Sequence, residues 1–370
     1  LGKAPLVSFA PEATVAAGSG IDWQMDQAVI QWFADQVPDP GEEDDAEYST
    51  GHWSFWYVPA GCSGAFKAGS EARRQELYQH IVNMYRLGDP CTLMLLARQA
   101  HALYPLFFDL DIFGGQSDRF GEQSVHDAIW GFGDMLLLRS MAHALLQIYP
   151  QTATGMEVAV FHSSGMSQEK QRFKASYHVI FPQIIVDRPE MCMEKQMPGE
   201  PGAKPSGHMI CRDHLICYFY RREMEDDRIV ELKRRLDELC GFEDVNGSGR
   251  NDWHEIFDEN ALWHDPRPGR RTGFRLPFTD KAVGEDEDEY CMEGRPKLPL
   301  GRWQLRGEVE GDLQDLVVEP LPNLSDTEWV QLGDISYCAA TEPSHLRKDT
   351  VDPEVDVTWE RDCPCLVCRD

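Results

Sequence analysis

Apolar residues recur along this chain with two periods, and the period changes from segment to segment. From Leu103 to Ile112 they alternate, with Leu106, Phe108, Leu110 and Ile112 on one side and Phe107, Asp109 and Asp111 on the other. That period of two predicts a strand. Met156 to Phe161 and Phe173 to Phe181 also read as strands, joined by a polar turn over Ser163 to Gln171. Gly51 to Pro59 is aromatic and strand-like, and short strands are predicted around His254 to Phe257 and over Phe274 to Phe278. Helical periodicity runs from Ile21 to Gln36, from Glu71 to Leu87, from Ser124 to Tyr149 and from Glu225 to Cys240. Pro38, the Gly88-Asp89-Pro90 run and Pro150 close the first three. Lys195 to Gly207 is a Pro/Gly-rich insert, and the chain beyond Gly311 turns acidic and weakly patterned. There is no internal repeat. Irregular alternation of strands and helices predicts an α+β fold with mixed or antiparallel sheets flanked by helices. Three regions follow: an N-terminal helix and acidic loop (1–50), a body (51–310), and an acidic C-terminal tail (311–370).

Composition narrows the class. The chain has 370 residues, 42% hydrophobic and 26% charged, which is a globular balance. No apolar run approaches the ~18 residues of a membrane span, so no membrane partner is expected. Net charge is −28, which excludes a bulk-cationic nucleic-acid coat but not an enzyme with a local basic channel. Acid is concentrated in Glu42 to Asp45 and Glu285 to Glu289, which read as solvated loops. The balance reverses between Ala261 and Lys281, where Arg267, Arg270, Arg271, Arg275 and Lys281 face only Asp265 and Asp280. Eleven cysteines, mostly single and in apolar contexts, suggest reduced thiols and a reducing compartment. The start lacks the basic-then-apolar pattern of a secretory signal, and a chain beginning at Leu1 reads as a piece of a longer protein.

Four short stretches carry chemistry. Asp109 and Asp111 share a strand face with backbones roughly 7 Å apart, so their oxygens can converge on a hard divalent cation. The competing reading is an edge strand with a wet outer face. Between Phe173 and Phe181, Lys174, Ser176 and His178 line the face opposite Ala175, Tyr177 and Val179. This row of donors suits triphosphate oxygens, or else is the polar side of an ordinary strand. Asp258 ends the short apolar run Ile256-Phe257. Last comes Arg270-Arg271-Thr272-Gly273-Phe274-Arg275-Leu276-Pro277-Phe278, then Lys281, in which Arg275 points away from the packing of Phe274, Leu276 and Phe278.

As an ordered set, the Asp-x-Asp strand, the Ser-x-His strand, the lone Asp and the Phe-Arg-Leu resemble the archaeo-eukaryotic primase (AEP) superfamily. The nearest resemblance is to its primase-polymerase (PrimPol) branch, and it covers roughly Asp89 to Lys281. It implies that residues 51–310 are a primase-type catalytic core and that the chain is a template-dependent nucleotidyltransferase, a DNA primase and polymerase acting in replication restart or damage tolerance. It implies two Mg²⁺ or Mn²⁺ ions on Asp109, Asp111 and Asp258. Lys174, Ser176, His178, Arg275 and Lys281 would then contact the incoming dNTP or NTP. Arg267, Arg270 and Arg271 would contact the single-stranded or primed template, with a single-stranded-DNA-binding protein as a further partner in the nucleus or the mitochondrion. The chain departs from the branch at Asp111, where Glu is common, and at Gly273, where Asn is frequent.

Two further clusters are weighed on spacing. His208, Cys211, His214 and Cys217 recur every three residues; on a helix this spacing drifts around the axis, so a structural helix is expected in preference to zinc. Cys363, Cys365 and Cys368 fit part of a zinc site, with Cys338, His345 or a later residue as fourth ligand, or a tail with free thiols. The runner-up enzyme class is a haloacid-dehalogenase-type phosphohydrolase, which opens on a similar Asp-x-Asp strand. It wants Thr or Val where this chain has Phe113, and it leaves Ser176 and His178 unexplained. The third class is a non-catalytic nucleic-acid-binding module.

Overall fold

The structure, a computed structural model, describes residues 31–32, 53–57, 62–66, 70–86, 93–97, 103–114, 135–167, 171–187, 206–240, 251–258, 273–283, 291–336, 338 and 344. In chain order its elements are β1 (Trp53–Tyr57), β2 (Cys62–Phe66), α1 (Glu71–Arg86), β3 (Leu93–Ala97) and β4 (Leu103–Phe113). Then come α2 (Leu136–Ile148), β5 (Met156–Ser167), β6 (Arg172–Asp187), α3 (Gly207–Glu225), α4 (Asp227–Cys240), α5 (Trp253–Ile256) and β7 (Phe257–Asp258). The last are β8 (Phe274–Arg275), β9 (Ala282–Val283), β10 (Cys291–Met292), β11 (Leu298–Arg306), β12 (Val317–Pro320) and α6 (Asp326–Gly333). The fold is α+β, and its strand pairings are antiparallel.

The larger sheet has the order β12-β11-β5-β6-β4-β7. Alternation in β4 and β6 sets its register: Asp109 lies opposite His178, Leu110 opposite Tyr177 and Asp111 opposite Ser176. A one-residue slip would turn the carboxylates into the core, so the apolar face fixes where they point. On the core side, Phe108 meets Phe181, Phe257 and α3's His208 edge-on. Helix α2 buries Leu137, Leu138, Met141, Leu145 and Leu146, and packs on α3. Each such side chain contributes about 1.5–3 kcal/mol on removal from water. On the other side, Phe107 lies 4.3 Å from Phe274 of β8, ring centre to ring centre. β8 is the edge of a four-stranded sheet, order β2-β1-β3-β8, and β9 pairs with β10 in a third, two-stranded sheet. Thus β4 is covered on both faces. It is an internal strand, not the wet edge strand of the bland sequence reading.

Several predicted elements differ. The hairpin strands run longer than expected: Ser163 and Ser164, read as turn, pair with Ser176 and Ala175. The strand expected around His254 to Phe257 is mostly the helical turn α5. The Asp252 side chain accepts from the His254 N–H and caps it, leaving only Phe257 and Asp258 extended. The strand expected over Phe274 to Phe278 stops at Arg275, and Phe278 adopts a left-handed φ of 64° with its ring on Tyr85. Residues 313–336, read from composition as part of an acidic tail, carry regular structure. β12 pairs with β11, and α6 opens with a capping box in which Ser325 and Glu328 satisfy each other's backbone N–H. Trp329 packs edge-on to Phe161, and Tyr78 donates to Asp334 at 2.7 Å. Of the predicted helix Ile21 to Gln36 only residues 31–32 are described, and they are helical; most of 1–50 lies outside the described residues.

Candidate active site

Strand register gathers most of the selected residues. Asp109 and Asp111 project from one face of β4. β6 delivers Lys174, Ser176 and His178 beside them, and β7 sets Asp258 opposite Asp109. Directly opposed residues in an antiparallel pair have Cβ atoms about 4.5–5.5 Å apart. Asp258 therefore joins the two β4 carboxylates although 147 residues separate it from Asp111. The turn capped by Asp252 leads the chain into pairing with β4 on the side away from β6.

The contacts are tight. Lys174 Nζ lies 2.5 Å from Asp111 Oδ2. Ser176 Oγ donates to Asp109 Oδ1 at 3.2 Å, and His178 Nε2 is 3.7 Å from the same oxygen. The His178 ring stacks under Phe274 at 3.6 Å between centroids and 21° between planes. His178 is 4% exposed, and its Nε2 edge faces the Asp109 carboxylate. The Asp111 side chain is 7% exposed, while those of Asp109 and Lys174 keep 20% and 17% and Asp258 is also partly exposed, so the cluster meets solvent on that side.

Electrostatics follow from packing like charges at low exposure. Burial first, then Asp111, pushes Asp109 up to about 6; Lys297 and Lys174 pull against this, and Asp258 adds to the rise. For Lys174, burial opposes the charge, but Asp111, Asp109 and Asp258 outweigh it and the ammonium is held above its usual range. His178 is driven well below the usual imidazole range by burial, then by Lys297, Arg275 and Lys174, and is neutral at pH 7. Burial likewise lowers Arg275.

The remaining selected residues fall in different places. Arg275 is buried nearby, its Nη1 3.0 Å from the Arg295 carbonyl and 3.9 Å from Asp280 Oδ1. Lys281 follows Asp280 and is half-buried. Its N–H donates to Asp280 and its carbonyl accepts from Glu293. At Gly273, where the branch often has Asn, an added Cβ would lie 2.9 Å from Leu96 Cβ, so the backbone is too close to β3 for a side chain. Arg267, Arg270, Arg271, Cys363, Cys365 and Cys368 lie outside the described residues.

Sequence reasoning missed the second half of the cluster. Lys297 is fully buried, its Nζ 2.9 Å from Ser176 Oγ and 3.2 Å from the Ser176 carbonyl. Burial, then Arg275, drives it well below the usual lysine range, although Asp109 and Asp111 oppose that shift. Asp280 is also fully buried and accepts from the N–H groups of Lys281, Gly294 and Arg295. Arg295 pairs with Glu293. The one visible hint was that basic residues reappear at Arg295 and Lys297 straight after the acidic run Glu285 to Glu289.

The donor set fits a hard cation. Asp109, Asp111 and Asp258 offer only carboxylate oxygen, and Asp111 Oδ1 is buried without a hydrogen-bond partner. As the side chains stand, no three His, Cys, Asp or Glu groups among the described residues converge tightly enough to form a cage. Lys174 and Ser176 engage the oxygens instead. The His/Cys row of α3 carries no like charges and meets neutral groups: His208 meets the Tyr104 hydroxyl and the Phe107 carbonyl, Cys211 the Tyr149 hydroxyl, and His214 the Ala144 carbonyl. Among the described residues no helix is long and apolar enough to cross a membrane. No protein-family model matches the chain, and a search of curated proteins finds no significant match.

Proposed function

We propose that this chain is a template-dependent nucleotidyltransferase, a DNA primase and polymerase built on an archaeo-eukaryotic primase-type core. One observation carries the reading: the β6-β4-β7 register puts three carboxylates side by side, with Lys174, Ser176 and His178 on the same face. Asp109, Asp111 and Asp258 would hold two Mg²⁺ or Mn²⁺ ions, which when bound lower the pKa of a 3′-hydroxyl and neutralise charge on departing pyrophosphate.

The protein's own groups do the rest. Lys174 is charged and offers its ammonium to the triphosphate, as does the Ser176 hydroxyl. Neutral His178 has one N–H and is hydrogen-bonded to the Arg275 backbone and held flat by Phe274, so the orientation of its ring is fixed before nucleotide arrives. Arg275 and Lys281 complete the phosphate contacts. Arg267, Arg270 and Arg271 take the template, single-stranded or primed, in a local positive patch on a chain of net charge −28. Cys363, Cys365 and Cys368 begin a zinc module, and a single-stranded-DNA-binding protein is the accessory partner, in the nucleus or the mitochondrion.

The test is direct. Purified protein is given a primed template, dNTPs and Mn²⁺, and the expected product is an extended primer. Phosphate release without extension supports the phosphohydrolase reading instead, and neither product leaves a binding module.

A further inference from the structure

Residues 293–297 form a strap across the hairpin of β5 and β6, and the strap is anchored before it reaches the site. Gly294 has a φ of 74°, the left-handed region that favours glycine, and its N–H donates to Asp280 at 2.6 Å. The Arg295 N–H donates to the other Asp280 oxygen at 2.8 Å, and the Arg295 carbonyl accepts from Ser163 Oγ at 2.7 Å. The Arg295 side chain occupies the space left by Gly165, where an added Cβ would lie 2.6 Å from Arg295 Cδ. Backbone bonds between Lys297 and both Phe278 and Thr279 finish the attachment. Lys297 is thus delivered to Ser176 by rigid backbone, although its own stem is flexible.

Ser176 has a single hydroxyl proton, and Lys297 determines where it goes. Lys297 Nζ donates to Ser176 Oγ at 2.9 Å, so that oxygen acts as acceptor there and keeps its proton on the side of the site, where Asp109 Oδ1 lies 3.2 Å away and a nucleotide phosphate would compete for it. The second Lys297 bond, to the Ser176 carbonyl, pins Nζ beneath the strand. A serine at an exposed strand position would sample three rotamers; this one is held in the rotamer that faces the carboxylates.

We propose that Lys297 is a positioning residue that fixes the Ser176 hydroxyl for the incoming nucleotide, an inference that rests on the nucleotidyltransferase reading. It does not touch the reacting atoms. Its effect passes through Ser176 Oγ, so the two residues behave as a unit.

The test is a double-variant cycle with dATP and Ca²⁺ as probe, read by calorimetry so that no turnover is needed, on wild type, K297M, S176A and the double variant. Both single variants are expected to bind dATP about tenfold more weakly, the scale of one hydrogen bond to a charged group. The double variant is expected to match S176A alone. K297Q, whose amide can still donate to Ser176, is expected to recover part of the loss, and Mn²⁺ alone is expected to bind all four proteins within about twofold. Unchanged dATP affinity in K297M, or losses that multiply in the double variant, overturns the assignment of Lys297 while leaving the enzyme reading intact. A matching loss of Mn²⁺ affinity overturns it too, because Lys297 would then act on the carboxylates directly. Failure of both K297M and K297Q to fold makes Lys297 a structural group and also overturns it. Failure of wild type to bind dATP overturns both this inference and the reading beneath it.

Discussion

Two buried rows of chemistry-bearing side chains lie within one fold, and they are balanced in opposite ways. On α3, His208, Cys211 and His214 each face a different neutral partner: a tyrosine hydroxyl or a backbone carbonyl. Burial drives His208 down to about 3 and His214 down to about 4, so both are neutral and packed. On β4, β6 and β7, carboxylates face one another and are answered by two lysines, one buried carboxylate oxygen has no partner, and Asp109 is pushed up to about 6. Ligand-type residues at regular spacing occur in both rows. Only the second stores like charge at low exposure, an arrangement that a packed core does not need and a cation site does.

The contrast is sharpened by removing one member of each row. Asp109→Asn should lower primer extension by about a thousandfold, the scale of a lost metal ligand worth several kcal/mol. It should not lower the stability of metal-free protein at pH 7. Asp109's pKa is raised on folding, so its contribution to stability is present at low pH and is lost as pH rises through about 6. His214→Ala should do the reverse. Urea unfolding should show a loss of about 2–4 kcal/mol from the cavity and the lost bond to the Ala144 carbonyl, with activity per folded molecule unchanged. Were His214→Ala to abolish activity in folded protein, the two rows would not be separate.

The smallest effect concerns pH. His208 and His214 have folded pKa values below the unfolded value of about 6.5, so the stability they contribute is present above that pH and is lost as pH falls. Between pH 7 and pH 5 each should cost about 2 kcal/mol. His214→Gln, whose amide can still donate to Ala144, should remove its share of that slope. An unchanged slope would mean that His214 is not the group being protonated in the unfolded chain.

The strands that carry the site were legible because their period of two is unbroken: the face assignments of Asp109, Asp111, Lys174, Ser176 and His178 come from alternation alone. Asp258 was legible only as one member of an ordered set, since Phe257-Asp258 pairs with β4 across a long sequence separation and follows a helical turn that the local pattern did not disclose. The strap left only the return of basic residues at Arg295 and Lys297 as a trace in the sequence. Lys297, Arg295 and Asp280 sit in irregular backbone, where no period tells an inward charge from a solvated one, and their partners at Ser176, Lys174 and Gly294 are set by tertiary packing. β12 and α6 were hidden for a related reason. Their acidic outer faces mask the few apolar anchors, such as Trp329 and Val330, that tie them to the core.

Mn²⁺ binding, followed by the loss of the free-ion signal in electron paramagnetic resonance, tests the central claim most directly. Wild type should take up Mn²⁺, and more of it in the presence of dATP, whereas Asp109→Asn and Asp258→Asn should each lose most of that uptake and His214→Ala none. Equal Mn²⁺ uptake by wild type and by both Asp variants would contradict the assignment of the β4 and β7 carboxylates as one cation site.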